Sequence, residues 1–161
     1  MLTHKISSWI VFFLCVCVAS SSGFVFPLGA DNEWFSTLNT PSFAPPNWLF
    51  GPVWTILYIM ISASAYYLVQ DYIKNKNEYF PIAIALWCLQ LALNVIWTPI
   101  FSGAQNLETA FYYIIALWIS ITLYIIISYK VSKKSSILMM PYIAWVSFAS
   151  ILNYTYWQIN L

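Results

Sequence analysis

Long apolar stretches alternate with short charged connections along this chain. Five runs without any Asp, Glu, Lys or Arg cover residues 6–30, 34–70, 79–107, 109–129 and 135–161. Each run is long enough to cross a bilayer core of about 30 Å, which requires about 20 helical residues. The pattern therefore predicts five transmembrane helices.

Prolines set a boundary inside the longest run. Pro41, Pro45 and Pro46 interrupt residues 34–70, and proline removes an amide donor and clashes with the preceding helical turn. We expect the second span to begin near Pro46 and residues 29–45 to form a loop. The predicted all-α, single-domain bundle has spans at residues 6–28, 46–69, 80–101, 109–129 and 137–157.

The basic residues all fall on one side of this arrangement, and every one of them is a lysine. They are Lys5 before the first span, Lys74 and Lys76 after the second, and Lys130, Lys133 and Lys134 after the fourth. The opposite loops contain Asp31, Glu33 and Glu108. The positive-inside rule therefore places the amino terminus inside and the carboxyl terminus outside. A cleaved signal peptide is the alternative for the first segment, but a retained helix fits its uninterrupted apolar length better.

The composition excludes several classes of protein. Only 7% of the residues are charged, against roughly a quarter in soluble domains, so the chain is an integral membrane protein. His4 is the only histidine and precedes the first span, which leaves no candidate for His-based catalysis in the membrane. The spans contain no ionisable group of the kind that ion-coupled carriers use. We expect no metal site, no bound cofactor and no nucleic-acid partner.

The predicted loop before the second span combines aromatic residues with prolines. Trp34, Phe35, Phe43 and Trp48 would expose a large apolar area if this segment were disordered, and prolines lower the entropy cost of ordering it. One interpretation is an aromatic belt at the membrane interface. A lid over a cavity is the interpretation that we favour.

Three of the predicted helices present aromatic and polar residues on one face. The faces are Trp54, Tyr58, Ser62 and Ala65 on the second span, Gln90, Asn94 and Trp97 on the third, and Trp145, Ala149 and Asn153 on the fifth. An amide in hydrocarbon must find a hydrogen-bond partner, so these faces point to protein or to ligand. Packing between helices is the alternative to a ligand pocket. The fourth span carries no such stripe, and we expect it to pack or to face lipid.

The same residues carry a family resemblance over nearly the whole chain. The matching positions are Trp34, Leu38, Pro41, Pro45, Pro46, Trp48, Phe50, Pro52 to Thr55, Leu57, Tyr58, Gln90, Leu91, Leu93, Asn94, Trp97, Pro99, Pro141, Tyr142, Trp145, Phe148, Ala149, Leu152 and Asn153. In order and spacing they resemble the TspO/MBR family of tryptophan-rich sensory and translocator proteins.

The resemblance implies a five-helix bundle whose first loop covers an apolar cavity. Family members bind porphyrins such as protoporphyrin IX, isoquinoline or benzodiazepine drugs and sterols, and they usually form dimers. It also implies that Trp54 and Trp145 take part in light- and oxygen-dependent breakdown of protoporphyrin. The resemblance and the helix faces together give these expected ligand-binding residues: Phe35, Pro45, Trp48, Trp54, Tyr58, Gln90, Asn94, Trp97, Trp145, Ala149 and Asn153.

Two departures from the family pattern limit which ligand contacts and which ligands we expect. Phe35 stands where many members have tyrosine, so the hydrogen bond of that hydroxyl is absent. Residues 154–161 contain no basic residue, so the sterol-recognition segment of animal members is not reproduced, and we expect a bacterial inner membrane. Three functions remain open: a tetrapyrrole-binding sensor, a porphyrin-degrading enzyme and a transporter. A homodimer is expected, and Ala19 and Gly23 offer a small-residue pair for helix contact.

Overall fold

The computed structural model describes residues 33–161 together with Phe13, Val16 and Cys17. The predicted first span and its Ala19 and Gly23 pair lie outside the described residues, apart from those three positions. The described part is all-α. Its elements are α1 (Glu33–Thr37), a 3₁₀ turn (Asn47–Leu49), α2 (Phe50–Asn75), α3 (Phe80–Thr98), a π-helical turn (Pro99–Gly103), α4 (Leu107–Val131), α5 (Lys133–Leu138) and α6 (Met140–Ile159).

Four helical stretches of the described chain are long and apolar enough to cross a membrane. They are Asn47–Asn75, Phe80–Gly103, Leu107–Val131 and Lys133–Ile159. These four helices coincide with the second to fifth predicted spans, and the protein is a multi-pass membrane protein. The side that each end faces stays a prediction from the lysines. We call the end with α1 the loop end and the end with Lys76 and Lys130 the lysine end.

Two helices extend beyond the predicted spans at the lysine end. The second span was expected to end at residue 69, but α2 continues to Asn75. In this extension the Tyr72 ring stacks on Phe80, with centroids 3.9 Å apart. Lys76 then ends the helix in the left-handed conformation, with φ of 46°. The last helical stretch begins at Lys133 rather than residue 137, because the Ser132 side chain caps α5 by accepting the Ser135 amide.

The predicted loop at residues 29–45 contains a short helix that the sequence pattern did not reveal. This helix, α1, covers the five residues Glu33–Thr37. The residues between α1 and the 3₁₀ turn include a tight turn in which the Ala44 amide donates to the Pro41 carbonyl at 2.9 Å. An apolar cluster at the loop end contains Phe101 and Tyr156. The loop residues that pack on it include Trp34, Phe35, Leu38 and Ala44. The segment is therefore ordered against the helices.

Pro99 changes the end of α3 from α-helical to π-helical. Its ring nitrogen has no hydrogen to donate, so the usual helical bond at this position is missing. Residues Pro99–Gly103 instead form a π-turn in which the Ala104 amide donates to the Pro99 carbonyl at 2.8 Å. The turn stacks Phe101 on Trp97 at a centroid distance of 4.9 Å. Such turns occur often at functional sites.

The helices pack around a core that reaches from the lysine end to the aromatic cavity described below. Ile61, Leu68 and Ile121 are fully buried within it. A hydroxyl cluster joins three elements near the lysine end, since the oxygens of Ser64, Tyr124 and Ser135 lie within 2.9 Å of one another. Helix α4 packs along both α3 and α6, whereas α2 meets α6 at few positions. The α2 and α6 pair is the loosest of these seams.

Candidate ligand-binding cavity

An aromatic cavity lies beneath α1, between the four long helices. Each of these helices contributes to its wall, and α1 contributes Phe35 as part of the roof. The lining residues are Phe35, Asn47, Phe50, Trp54, Asn94, Trp97, Phe101, Ile114, Leu117, Trp145, Val146, Ala149, Leu152, Asn153 and Tyr156. None of these described lining residues carries a charge.

The roof is held by ring contacts and by a pair of asparagines. The Phe35 ring lies 5.4 Å from Tyr156 and 6.1 Å from Phe101, between centroids. Beyond α1, the Asn39 amide donates to the Asn160 side-chain oxygen at 2.7 Å, and the Asn160 side chain donates to the Asn39 carbonyl at 3.1 Å. The loop is thereby fastened to the end of α6.

Asn94 links two tyrosines that support one wall. The Tyr58 hydroxyl donates to the Asn94 side-chain oxygen at 2.8 Å, and the Asn94 side-chain nitrogen donates to the Tyr142 hydroxyl at 3.1 Å. The Trp54 ring stacks on Tyr58 at 5.4 Å and meets Tyr142 edge-on at 6.2 Å. Asn94 thus fixes the rings that orient the Trp54 indole.

A second asparagine, Asn153, holds another part of the wall. The Trp97 indole N–H donates to the Asn153 side-chain oxygen at 3.2 Å, and the Asn153 side-chain nitrogen donates to the Leu107 carbonyl at 3.0 Å. This chain of bonds joins α3, α6 and the start of α4. It satisfies the Asn153 amide inside an apolar bundle, where an unpaired amide would be costly.

Trp145 differs from Trp97 because no hydrogen bond fixes its indole. Its N–H is buried and has no partner. The ring is held by aromatic contacts, at 5.9 Å from Phe50 and 5.6 Å from Phe148. A buried donor without an acceptor costs about 1–3 kcal/mol. An acceptor atom on a bound molecule would remove that cost.

The cavity is contracted in this structure. The space open to water-sized molecules is about 50 Å³, whereas pockets for drug-sized ligands usually measure about 300–1,000 Å³. Binding of a large planar molecule therefore requires the aromatic rings of the wall or the roof to move apart.

Seven of the eleven predicted ligand-binding residues line this cavity. They are Phe35, Trp54, Asn94, Trp97, Trp145, Ala149 and Asn153. Their convergence brings together three helix faces that the sequence pattern treated separately. Whether they bind a ligand stays a prediction.

The other four predicted residues lie elsewhere. Tyr58 stands behind Trp54 and reaches the wall only through its stacking and its bond to Asn94. Gln90 is fully buried, and its side-chain nitrogen donates to the Trp87 carbonyl within its own helix. Trp48 is 71% exposed, and neither it nor the half-buried Pro45 belongs to the lining.

Several lining residues were not predicted. Phe101 reaches the cavity through the π-turn, and Pro99 was the available signal for it. Ile114 and Leu117 come from α4, which was expected only to pack or to face lipid. Ordinary aliphatic residues give no pattern that separates a cavity wall from a core. Tyr156 lies one turn beyond Asn153 on α6, and that spacing was the signal for including it.

Comparisons with known proteins point to one family. Residues 10–158 match the model of the TspO/MBR family. The chain is 40% identical over 148 residues to the tryptophan-rich protein TspO of Chlorobaculum tepidum, covering 91% of each protein. It is 35% identical over 150 residues to protein CrtK of Rhodobacter capsulatus, covering 93% of this chain and 91% of the relative. It is 36% identical over 134 residues to the translocator protein of Homo sapiens, covering 82% and 78%.

Proposed function

The chain belongs to the TspO/MBR family of membrane proteins, and from this premise we propose that it binds tetrapyrroles such as protoporphyrin IX in the cavity under α1. The observation that carries the proposal is the convergence of Trp54 and Trp145, from two different helices, on one uncharged aromatic cavity. Flat isoquinoline or benzodiazepine-type molecules fit the same chemistry. The physiological role is sensory or regulatory.

Ring stacking and apolar burial supply the binding energy. An aromatic pair contributes about 0.5–1.5 kcal/mol beyond the area it buries, and a macrocycle between Trp54 and Trp145 would form more than one such pair. The unpartnered Trp145 N–H offers a donor to a ligand acceptor. The Asn94 and Asn153 side chains are already paired with protein groups, so they act mainly by holding the walls.

The binding proposal is tested by titrating purified protein in detergent with protoporphyrin IX in the dark. Quenching of tryptophan fluorescence should saturate at one ligand per chain. A Trp145→Ala variant, which removes one wall ring, should bind at least about tenfold more weakly, the equivalent of losing one aromatic contact and its buried area. Non-saturable quenching, or equal affinity of the variant, would contradict the proposal.

Light-dependent breakdown of the bound porphyrin is a second candidate function. The observation that favours it is that Trp54 and Trp145 both line this cavity. An indole can donate an electron to an excited macrocycle, which passes the electron on to dioxygen as the oxidant. The Trp54→Phe/Trp145→Phe double variant keeps both walls aromatic. Under light, it should bind the pigment but lose it more slowly than the wild type if the indoles take part. Equal rates of pigment loss would exclude this role.

The expected assembly and location belong to the same proposal. We place the protein as a homodimer in a bacterial inner membrane, with the lysine end inside. The orientation is supported by the lysines, which all fall on one side of the predicted topology. The bacterial membrane is supported by the bacterial relatives. Cross-linking in native membranes and labelling of single cysteines at each end test the dimer and the orientation.

A further inference from the structure

A groove separate from the aromatic cavity lies on the lipid-facing side of the bundle, between α2 and α6. We call it the α2–α6 groove. Val53 and Ile56 line it from α2, and Pro141, Ala144 and Phe148 line it from α6. Its volume is about 460 Å³, and Ile56 and Ala144 are exposed at its edges. The groove lies between two helices that meet each other at few positions.

Trp145 is the side chain that this groove shares with the aromatic cavity. It lines both spaces. On the cavity side its ring contacts Phe50 at 5.9 Å, and on the groove side it contacts Phe148 at 5.6 Å. A displacement of this one indole would therefore connect the cavity with the groove.

The way in which Trp145 is held favours such a displacement. The indole N–H groups of Trp87, Trp97 and Trp118 each donate to an oxygen of a different residue. The Trp145 N–H is buried without a partner. Moving Trp145 breaks no side-chain hydrogen bond and frees a donor that is unsatisfied in the closed position.

The roof offers a more costly route. Displacing it separates Phe35 from Phe101 and Tyr156 and breaks the paired bonds between Asn39 and Asn160. An apolar planar ligand also concentrates in the hydrocarbon phase, where the groove opens. Both the protein contacts and the ligand's partition favour access from the side.

We propose that the ligand reaches the cavity from the lipid phase through the α2–α6 groove, with Trp145 as the gate. This inference rests on the proposed function, because it concerns the path to the same cavity. The occupant of the groove is then a planar apolar ligand on its way to or from the cavity. Trp145 then has a role in the rate of exchange in addition to its place in the wall.

The test measures exchange rates of protoporphyrin IX with the protein in lipid nanodiscs, by stopped-flow quenching of tryptophan fluorescence. Ala144→Phe narrows the groove from α6, and Ile56→Trp narrows it from α2. Each variant should slow association and dissociation by at least about tenfold, as a higher barrier on a single path slows both directions equally. The Kd of each variant should stay within about twofold of the wild-type value, because neither substitution changes the free energy of the ligand-free state relative to the bound state.

The matched control is Ala116→Phe, since Ala116 is exposed on the lipid-facing side of α4 and away from the groove. It should leave both rates unchanged. Unchanged rates in both Ala144→Phe and Ile56→Trp would overturn the lateral path. A further variant carries Asn39→Cys and Asn160→Cys in a background without the native cysteines, and a short thiol cross-linker joins the two positions. If this cross-link slows ligand exchange while the groove variants do not, access is through the roof. Absence of saturable binding in the wild type would instead refute the proposed function itself.

Discussion

Asn39 and Asn160 hold each other through two hydrogen bonds, one of 2.7 Å from the Asn39 amide and one of 3.1 Å from the Asn160 side chain. The Asn39 side chain adds a bond of 3.3 Å to the Ile159 carbonyl. These contacts connect positions about 120 residues apart in the chain. They explain how a proline-rich loop stays ordered over the cavity.

Replacing Asn160 by alanine should release the loop. The variant loses both bonds to Asn39, so the Asn39 amide should exchange its hydrogen with solvent at least about tenfold faster, as local opening becomes cheaper. Hydrogen exchange followed by mass spectrometry of the peptides between residues 33 and 46 measures this. Thr155→Ala is the control, because the Thr155 hydroxyl bonds only to the Ile151 carbonyl of its own helix. Equal protection in the two variants would show that the asparagine pair does not hold the loop.

Two buried serines on α2, Ser62 and Ser64, should respond differently to substitution. Ser64 bonds to the Tyr124 hydroxyl and to two oxygens of Ser135, whereas the Ser62 hydroxyl is buried without a partner. Ser64→Ala should lower the free energy of unfolding by about 1–2 kcal/mol. Ser62→Ala should change it by less than about 0.5 kcal/mol or raise it. Unfolding in mixed micelles with increasing sodium dodecyl sulfate measures both, and equal losses would contradict the hydroxyl cluster.

Asn94→Ala should weaken the wall behind Trp54. The change leaves the buried Tyr142 hydroxyl and the Tyr58 hydroxyl without their shared partner, at a cost of about 2–4 kcal/mol in unfolding free energy. Tyr58→Phe is the milder control, because Asn94 keeps its bond to Tyr142. Its cost should be about half as large. A cost for Asn94→Ala no greater than that for Tyr58→Phe would argue against a bridging role.

The negative charge of the ligand's propionates should not strengthen binding. The described cavity lining is uncharged, and the sequence places Asp31, Glu33 and Glu108, but no lysine, at the loop end. Protoporphyrin IX dimethyl ester should therefore bind at least as tightly as the free acid. The affinity of the free acid should change by less than about twofold between low and high salt, since no ion pair is screened. An ester that binds tenfold more weakly would reveal a cationic partner for the propionates.

Much of the fold was predictable because the membrane imposes a simple length and charge pattern. Long apolar helices are present at four of the five predicted spans, and the faces carrying Trp54, Asn94 and Trp145 meet as their helical spacing suggested. The helix ends were less predictable. Tyr72 stacks on Phe80 in the part of α2 beyond the predicted span, and Ser132 caps α5 ahead of the predicted start of the last span. Neither contact is visible from hydropathy.

The cavity was predictable only where polar or aromatic residues marked a face. Asn94 and Asn153 stood out because amides in hydrocarbon need partners. Ile114 and Leu117 did not stand out, because an aliphatic residue looks the same in a core and in a cavity wall. Trp48 illustrates the opposite difficulty. It resembled the other loop aromatics in sequence, yet it lies on the surface, and hydropathy does not reveal this difference.

The most direct test of the central claim fills the cavity without touching its polar groups. Ala149 lines the wall beside Trp145, so Ala149→Phe occupies the space that a macrocycle needs, whereas Ala116→Phe adds the same ring to the lipid-facing side of α4. In dark titrations with protoporphyrin IX, Ala149→Phe should bind at least about tenfold more weakly than the wild type, because overpacking costs about 1–3 kcal/mol. Ala116→Phe should match the wild type. Wild-type affinity in Ala149→Phe, with the protein folded, would show that the ligand binds elsewhere.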